Sequence, residues 1–151
     1  MTPEAIAKQY LSESLVMQVA TLHDGSPRVN SVYFVSADDM SAVYWMSEPR
    51  RRHSEDIGSD PRVAGAIAAK ADWPVAGLQF TGSGAVLQDK QELRAVIDRY
   101  NDKYHDAAKG LYDRIQAGTN KHLIYKLTIA SMELFDEVYF PGGNIVPVSI
   151  D

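Results

Sequence analysis

The sequence predicts a mainly β domain with flanking helices, its antiparallel sheet curled into a closed or partly closed barrel. Three observations predict this. Short β-branched and apolar segments joined by tight turns recur along the chain, and helical periodicity is confined to a few brief stretches. One segment, 75–89, is too long for an average strand and carries Gly77, Gly82 and Gly84. Glycines inside a strand mark a bend, a bulge or a close backbone approach, and closing a sheet removes its exposed edges.

The elements follow in order. Thr2-Pro3-Glu4 reads as a helix start, with proline where its missing N–H costs nothing, and Ile6, Tyr10 and Leu11 share a face of a helix running to about Ser12. "SLVMQVATL" (14–22) is a strand, "HDGS" a turn built on Asp24-Gly25, and "PRVNSVYFVS" (27–36) the returning strand. "ADDMS" turns again into "AVYWM" (42–46), which completes a three-strand antiparallel meander. A short helix is expected from Pro49 to Ile57, with Gly58 as its stop. "RVAGAIAA" (62–69) and the segment 75–89 are two more strands, joined around Trp73-Pro74. From Lys90 the period becomes helical, with Leu93, Val96, Ile97 and Tyr100 on one face, and a second helix covers about 106–116. "KHLIYKLTI" (121–129) and "MELFDEVYF" (132–140) are the closing strands, and "NIVPVSID" is an extended tail. There is no repeat, linker or low-complexity segment, so residues 1–151 are expected to form one domain.

Composition narrows the function classes. Of the 151 residues, 45% are apolar and 23% charged, which is a globular balance. The net charge of −5 disfavours a general grip on nucleic acid, which needs a basic surface. The absence of cysteine excludes disulfides, thiolate nucleophiles and Cys-based zinc sites. "MTPEAIAKQYLSES" has no apolar signal core and no stretch reaches the ~18 apolar residues of a membrane span, so a cytoplasmic protein without a membrane partner is expected.

Few residues carry recognisable chemistry. His23, His53, His105 and His122 show no ligand spacing. "TGSGA" lacks the outer spacing of a nucleophile elbow, and no Gly-Lys-Ser/Thr follows to make a phosphate loop. Asp38-Asp39 reads as turn chemistry, and Tyr100 with Tyr104, one helical turn apart, reads as packing. That leaves "MSEPRRRHSEDIGSDPRV" (46–63) in an otherwise acidic chain. The run could be a solvated face balanced by Glu48, Glu55 and Asp56. Its position suggests more, because it places Arg50 to His53 in the first turn of a helix, where N–H groups are unpaired and the dipole is positive. Guanidinium groups there are unfavourable for the isolated helix. A bound phosphate, accepting bidentate arginine hydrogen bonds, would relieve the conflict.

The hairpin "HDGSPRVNSVYFVS", then "VYWMSEPRRRHSEDIGSDPRV" and "GLQFTGSGAVL", resemble the pyridoxamine 5′-phosphate oxidase-like superfamily of FMN-binding split β-barrels. The resemblance covers residues 14–89 well and the last strands loosely. Ser47, Arg52, His53 and Asp60-Pro61-Arg62-Val63 fall without a gap on the family's strand-end hydroxyl, Ser-Arg-Lys and Asn-Pro-Arg-Val positions. It implies a homodimer with FMN in a groove at the subunit interface. By the same resemblance Arg51, Arg52 and His53 hold the phosphate, and Ser47 adds a hydroxyl. Asn30, Ser31 and Val32 run beside the ring and ribityl chain through backbone groups, Asn30 also reaching the phosphate, and Met46 lines the same wall. The chain departs from authentic pyridoxamine phosphate oxidases at Asn30, where they carry arginine, and at Val35, where they carry a phosphate-binding lysine. It also lacks their arginine-bearing C-terminal segment, so oxidation of pyridoxamine phosphate is not what the resemblance implies. His53 in place of lysine is only partly charged near neutrality. The reading is an FMN-dependent oxidoreductase with no catalytic acid or base assigned. The alternatives are the same barrel holding a deazaflavin (F420) or haem, or a non-catalytic dimeric binding module.

Overall fold

The computed structural model describes residues 1–150. Its first element is α1 (Pro3–Glu13), capped by Thr2, whose hydroxyl accepts the Ala5 N–H at 3.1 Å. The helix buries Ile6, Ala7 and Leu11 in the barrel core. Strands β1 (Val16–His23) and β2 (Ser26–Tyr33) form a hairpin around Asp24 and Gly25. Both turn residues have positive φ, at 49° and 81°, as a twist-matched two-residue hairpin turn requires.

The expected strand 27–36 breaks at Phe34. Only Val35 and Ser36 continue, as β3 (Val35–Ser36), and they pair with β4 (Ala42–Ser47). The three-strand meander is therefore a hairpin plus a two-residue strand belonging to the other end of the sheet. The cause lies at Phe34, whose N–H and C=O are both bonded by the Tyr104 hydroxyl and not by a neighbouring strand.

Helix α2 (Arg52–Ser59) starts three residues later than the sequence suggests, and Gly58 lies inside it; Asp60 is the C-cap. Strands β5 (Arg62–Lys70) and β6 (Ala76–Val86) follow, then α3 (Lys90–Lys103), capped by the Asp89 carboxylate. The expected helix over 106–116 shrinks to α4 (Leu111–Gln116). His105, Asp106 and Gly110 all have positive φ, which a continuing right-handed helix does not allow.

The expected closing strands 121–129 and 132–140 are one strand, β7 (Leu123–Asp136), and the tail supplies β8 (Ile145–Val148). Asp151, the last residue of that tail, lies outside the described residues. Ala130 is the extra residue of a bulge in β7: Thr81 pairs with Ser131, but Gly82 pairs with Ile129. The bulge bends the strand without ending it. It also explains Gly82, where a Cβ would fall 1.9 Å from the Thr128 carbonyl oxygen.

The sheet runs β2-β1-β5-β6-β7-β4-β3, with β8 also paired to β7. It is an antiparallel sheet curled into a barrel, with β2 and β3, consecutive in the chain, at its two ends. Inside lies a core that includes Met17, Val43, Trp45, Leu78, Phe80, Leu127 and Leu134. A second core packs α3 and α4 on the outer face of β4 through Tyr44, Leu93, Val96, Tyr100 and Leu111. Strand β4 is thus buried on both faces.

Candidate functional site

Helix α2 is seated by a buried carboxylate. Asp56 accepts the Thr21 hydroxyl at 2.9 Å, and Arg28 Nε and His23 Nδ1 lie 3.5 and 3.3 Å from its oxygens. A buried charge is tolerated when paired and hydrogen-bonded, so this cluster ties the helix to β1 and β2. Gly84 completes the seat, since a Cβ there would sit 2.8 Å from Val63 and 3.3 Å from Ile57 of the helix.

The start of α2 shows the opposite condition. Arg51 is the N-cap and Arg52 the first helical residue, whereas Arg50 lies outside the helix, ion-paired to Glu48. No side chain caps the helix. The N–H groups of Arg52, His53 and Ser54 find no acceptor among the described residues. Arg28, Arg50, Arg62 and Arg99 each pair with an acid. Arg94 covers the Tyr112 ring and Arg114 bonds Asn120 and the Lys109 carbonyl. The exposed Arg51 and Arg52 have no such side-chain partner among the described residues. Glu48 is committed to Arg50 and Asp56 to Arg28 and His23, while the exposed Glu55, in the first turn of the helix, forms no ion pair with either arginine.

His53 is turned inward. It is 8% exposed, and its Nε2 lies 2.9 Å from Ser47 Oγ, which accepts the Ser54 hydroxyl at 3.3 Å. Burial, reinforced by the Arg51 charge, holds its pKa below the ordinary imidazole value, against the opposing pull of Asp56. A neutral ring therefore orients Ser47, and the positive charge of this end belongs to Arg51 and Arg52.

The remaining residues singled out from the sequence divide between two faces. On β2, Arg28, Asn30 and Val32 are half-buried on one face, and the Asn30 amide nitrogen is buried without a partner. Ser31 is on the other face, its hydroxyl accepting from Gln18 at 2.9 Å. The register of the two-residue hairpin turns the backbone groups of Asn30 and Val32 toward β1 and those of Val29, Ser31 and Tyr33 toward the unpaired edge. Ser47 and Met46 likewise point to opposite sides of β4, Ser47 to α2 and Met46 to α3.

That unpaired edge is closed at one point by a side chain the sequence reading treated as packing. The Tyr100 hydroxyl accepts the Met46 N–H at 3.1 Å and donates to the Tyr33 carbonyl at 2.9 Å, replacing ladder bonds between β2 and β4. The Tyr104 hydroxyl accepts the Phe34 N–H at 3.1 Å and lies 2.8 and 2.5 Å from the Leu15 and Phe34 carbonyl oxygens, at the strand break beside β2. Spacing places both on one helix face; only the nonlocal fold shows what their hydroxyls reach. Asp56 left a fainter signal, sharing the buried face of α2 with His53 and Ile57.

Two concavities adjoin these strands. A groove of about 690 Å³ crosses the sheet, lined by small and apolar residues including Ala20, Leu22, Ala64, Gly82 and Ala130. A pocket of about 440 Å³ lies between Tyr33, Met46 and the end of α3. No three His, Asp or Glu side chains gather as a metal site among the described residues. No described helix is long and apolar enough to cross a membrane.

A family model for pyridoxamine 5′-phosphate oxidase matches residues 3–135, most of the chain. The chain belongs to this family.

Among solved structures, a conserved hypothetical protein of Mycobacterium tuberculosis is 18% identical with a TM-score of 0.71, covering 95% of this chain and 92% of its own. HutZ, the haem storage protein of Vibrio cholerae, is 19% identical with a TM-score of 0.70, over 90% and 95%. A haem-binding protein of Mycobacterium smegmatis is 20% identical with a TM-score of 0.74, over 99% of this chain and 59% of that one. These likenesses show the split-barrel fold. No curated protein matches the sequence. Val35, where the resemblance to the family implies a lysine, is buried beneath α3 and has no polar atom to offer.

Proposed function

We propose that this protein binds FMN with its phosphate at the start of α2, and that it works as a homodimeric oxidoreductase on a substrate other than pyridoxamine phosphate. The observation that carries the reading is the pair Arg51 and Arg52, without an ion-pair partner among the described residues and beside three unpaired N–H groups. A dianionic phosphate satisfies both kinds of donor at once.

The residues present fit the cofactor. The Asn30 amide offers a buried donor that no described residue uses, and a donor left unpaired in this way is costly. Ser47 offers a hydroxyl oriented by His53. The backbone of Ser31, on the free edge of β2, suits the polar atoms of a flavin ring. When bound, FMN supplies hydride and electron exchange, and the protein's part is to hold and orient it. The groove of about 690 Å³ supports the dimeric reading, because a small-residue apolar concavity across a sheet suits the face of a second copy.

The test is the absorption spectrum of freshly purified protein, with mass spectrometry of whatever is released on denaturation. Flavin bands and released FMN support the proposal. A Soret band would replace it with a haem reading, and colourless protein with no thermal shift on adding FMN would overturn it.

A further inference from the structure

We propose that Lys103 is a Schiff-base site for a small uncharged aldehyde, which reaches it through the pocket between α1, β3 and α3. The inference goes beyond the flavin reading and stands without it, since no residue assigned to the cofactor lines this pocket.

Buried ammonium groups need partners, and two half-buried lysines of this chain have them. Lys126 pairs with Glu92 at 2.7 Å and Lys70 with Asp72 at 3.3 Å. Lys103 is also half-buried, yet it has no carboxylate within 4 Å among the described residues. Its one hydrogen bond, to the Leu11 carbonyl, is long at 3.4 Å. The Phe34 and Tyr104 rings at 4.3 and 5.6 Å supply the rest of its support. Burial pulls its pKa down to about 8, against about 10.4 for an ordinary lysine. A neutral, nucleophilic amine is therefore present near neutral pH.

The pocket selects the electrophile. It holds about 420 Å³, and Leu11, Val35 and Ala37 give it apolar wall for a short alkyl chain. Its other charges oppose one another, Lys8 and Arg99 against Asp38 and Asp102, and Arg99 meets Asp38 at 2.9 Å. That balance offers an anion no net attraction, which disfavours acyl phosphates and oxo acids and leaves a neutral carbonyl compound.

The product suits the same surroundings. The amine adds to the carbonyl carbon, forming the C–N bond, while the oxygen becomes a hydroxyl. The carbinolamine takes one proton from solvent, loses that hydroxyl as water and leaves a protonated imine. The exposed Lys8 and Asp102 mark the mouth through which water passes. No oxidant or reductant is consumed. An ammonium brings three N–H donors to a place with one acceptor, whereas a protonated imine brings one. The imine also keeps a positive charge over the Phe34 ring, which an amide would lose.

The experiment is timed reductive trapping of the full chain as purified, at about pH 7.5, with propanal and cyanoborohydride. Peptide mass spectrometry reads the sites. Lys103 should be propylated at least tenfold faster than the exposed Lys8, Lys90, Lys109 and Lys121. Without reductant, carbon-13-labelled propanal should give an imine signal that Lys103→Arg lacks. Ala37→Leu narrows the pocket and should slow propanal at Lys103 while sparing formaldehyde, the smallest aldehyde. Labelling of Lys103 no faster than the exposed lysines, an imine signal that survives in Lys103→Arg, or an unchanged propanal rate in folded Ala37→Leu would each overturn the proposal. If Ala37→Leu does not fold, the site selectivity and the imine signal decide. None of these readouts depends on flavin, so a failure here is separable from a failure of the cofactor reading.

Discussion

The Tyr100 hydroxyl stands 2.9 Å from the Tyr33 carbonyl and takes the place of a strand neighbour. It also accepts the Met46 N–H, so one side chain joins backbone groups of two strands that never pair with each other. Tyr100→Phe keeps the ring and leaves both groups without that partner. The expected loss is about 1–3 kcal/mol in urea unfolding. Tyr104→Phe should behave alike, and the double variant should depart from additivity because the rings touch and serve one seam.

Removing the free cations separates binding from stability. Arg51→Ala with Arg52→Ala deletes two exposed charges at the unfavourable end of a helix dipole. Thermal unfolding should stay within about 0.5 kcal/mol of the parent or improve slightly. Flavin retained per chain, read by absorbance, should fall to near zero. Unchanged occupancy would refute the phosphate assignment.

His53 makes the apoprotein sensitive to mild acid. Its folded pKa lies below its unfolded one, so between the two values the unfolded chain binds more protons and stability rises with pH. Stability is therefore lost as pH falls from about 6.5 through the folded value. The acids Asp38, Asp39 and Asp60, whose pKa values are lowered, act only in stronger acid. Urea midpoints between about pH 7 and pH 5 should fall in the parent and flatten in His53→Gln.

Gly82→Ala tests the bulge. The new methyl meets the Thr128 carbonyl oxygen, a backbone atom that cannot swing aside. The expected cost is about 3 kcal/mol, the upper end for overpacking, read as a lowered melting temperature. Gly25→Ala has open space but an unfavourable φ, and should cost about 1 kcal/mol.

What could be read from the chain was local. The Thr2 cap, the Asp24-Gly25 turn and the apolar face of α3 are signals carried by neighbours in sequence, and each appears in the fold. What could not be read depends on distant partners. Phe34 ends a strand because a helix seventy residues later supplies Tyr104, and Ala130-Ser131 looks like a turn until Gly82 is seen to oppose it across a bulge. The site divides in the same way. The charge at Arg51 and Arg52 stands out in sequence, whereas the inward turn of His53 and the seating of Asp56 do not. The opposite facing of Met46 and Ser47 was legible all along, since consecutive strand residues alternate sides.

Phe34 has a mechanical consequence. One residue carries the chain from the first strand of the sheet order to the last, so these margins are covalently pinned to each other at that point. Their greatest possible separation grows by about 6.6 Å for every residue of distance from it, about 3.3 Å along each arm. The cleft is therefore a wedge with a fixed apex: it cannot gape beside Tyr33, and any breathing is amplified toward the hairpin tip, where a bulky guest would have to enter.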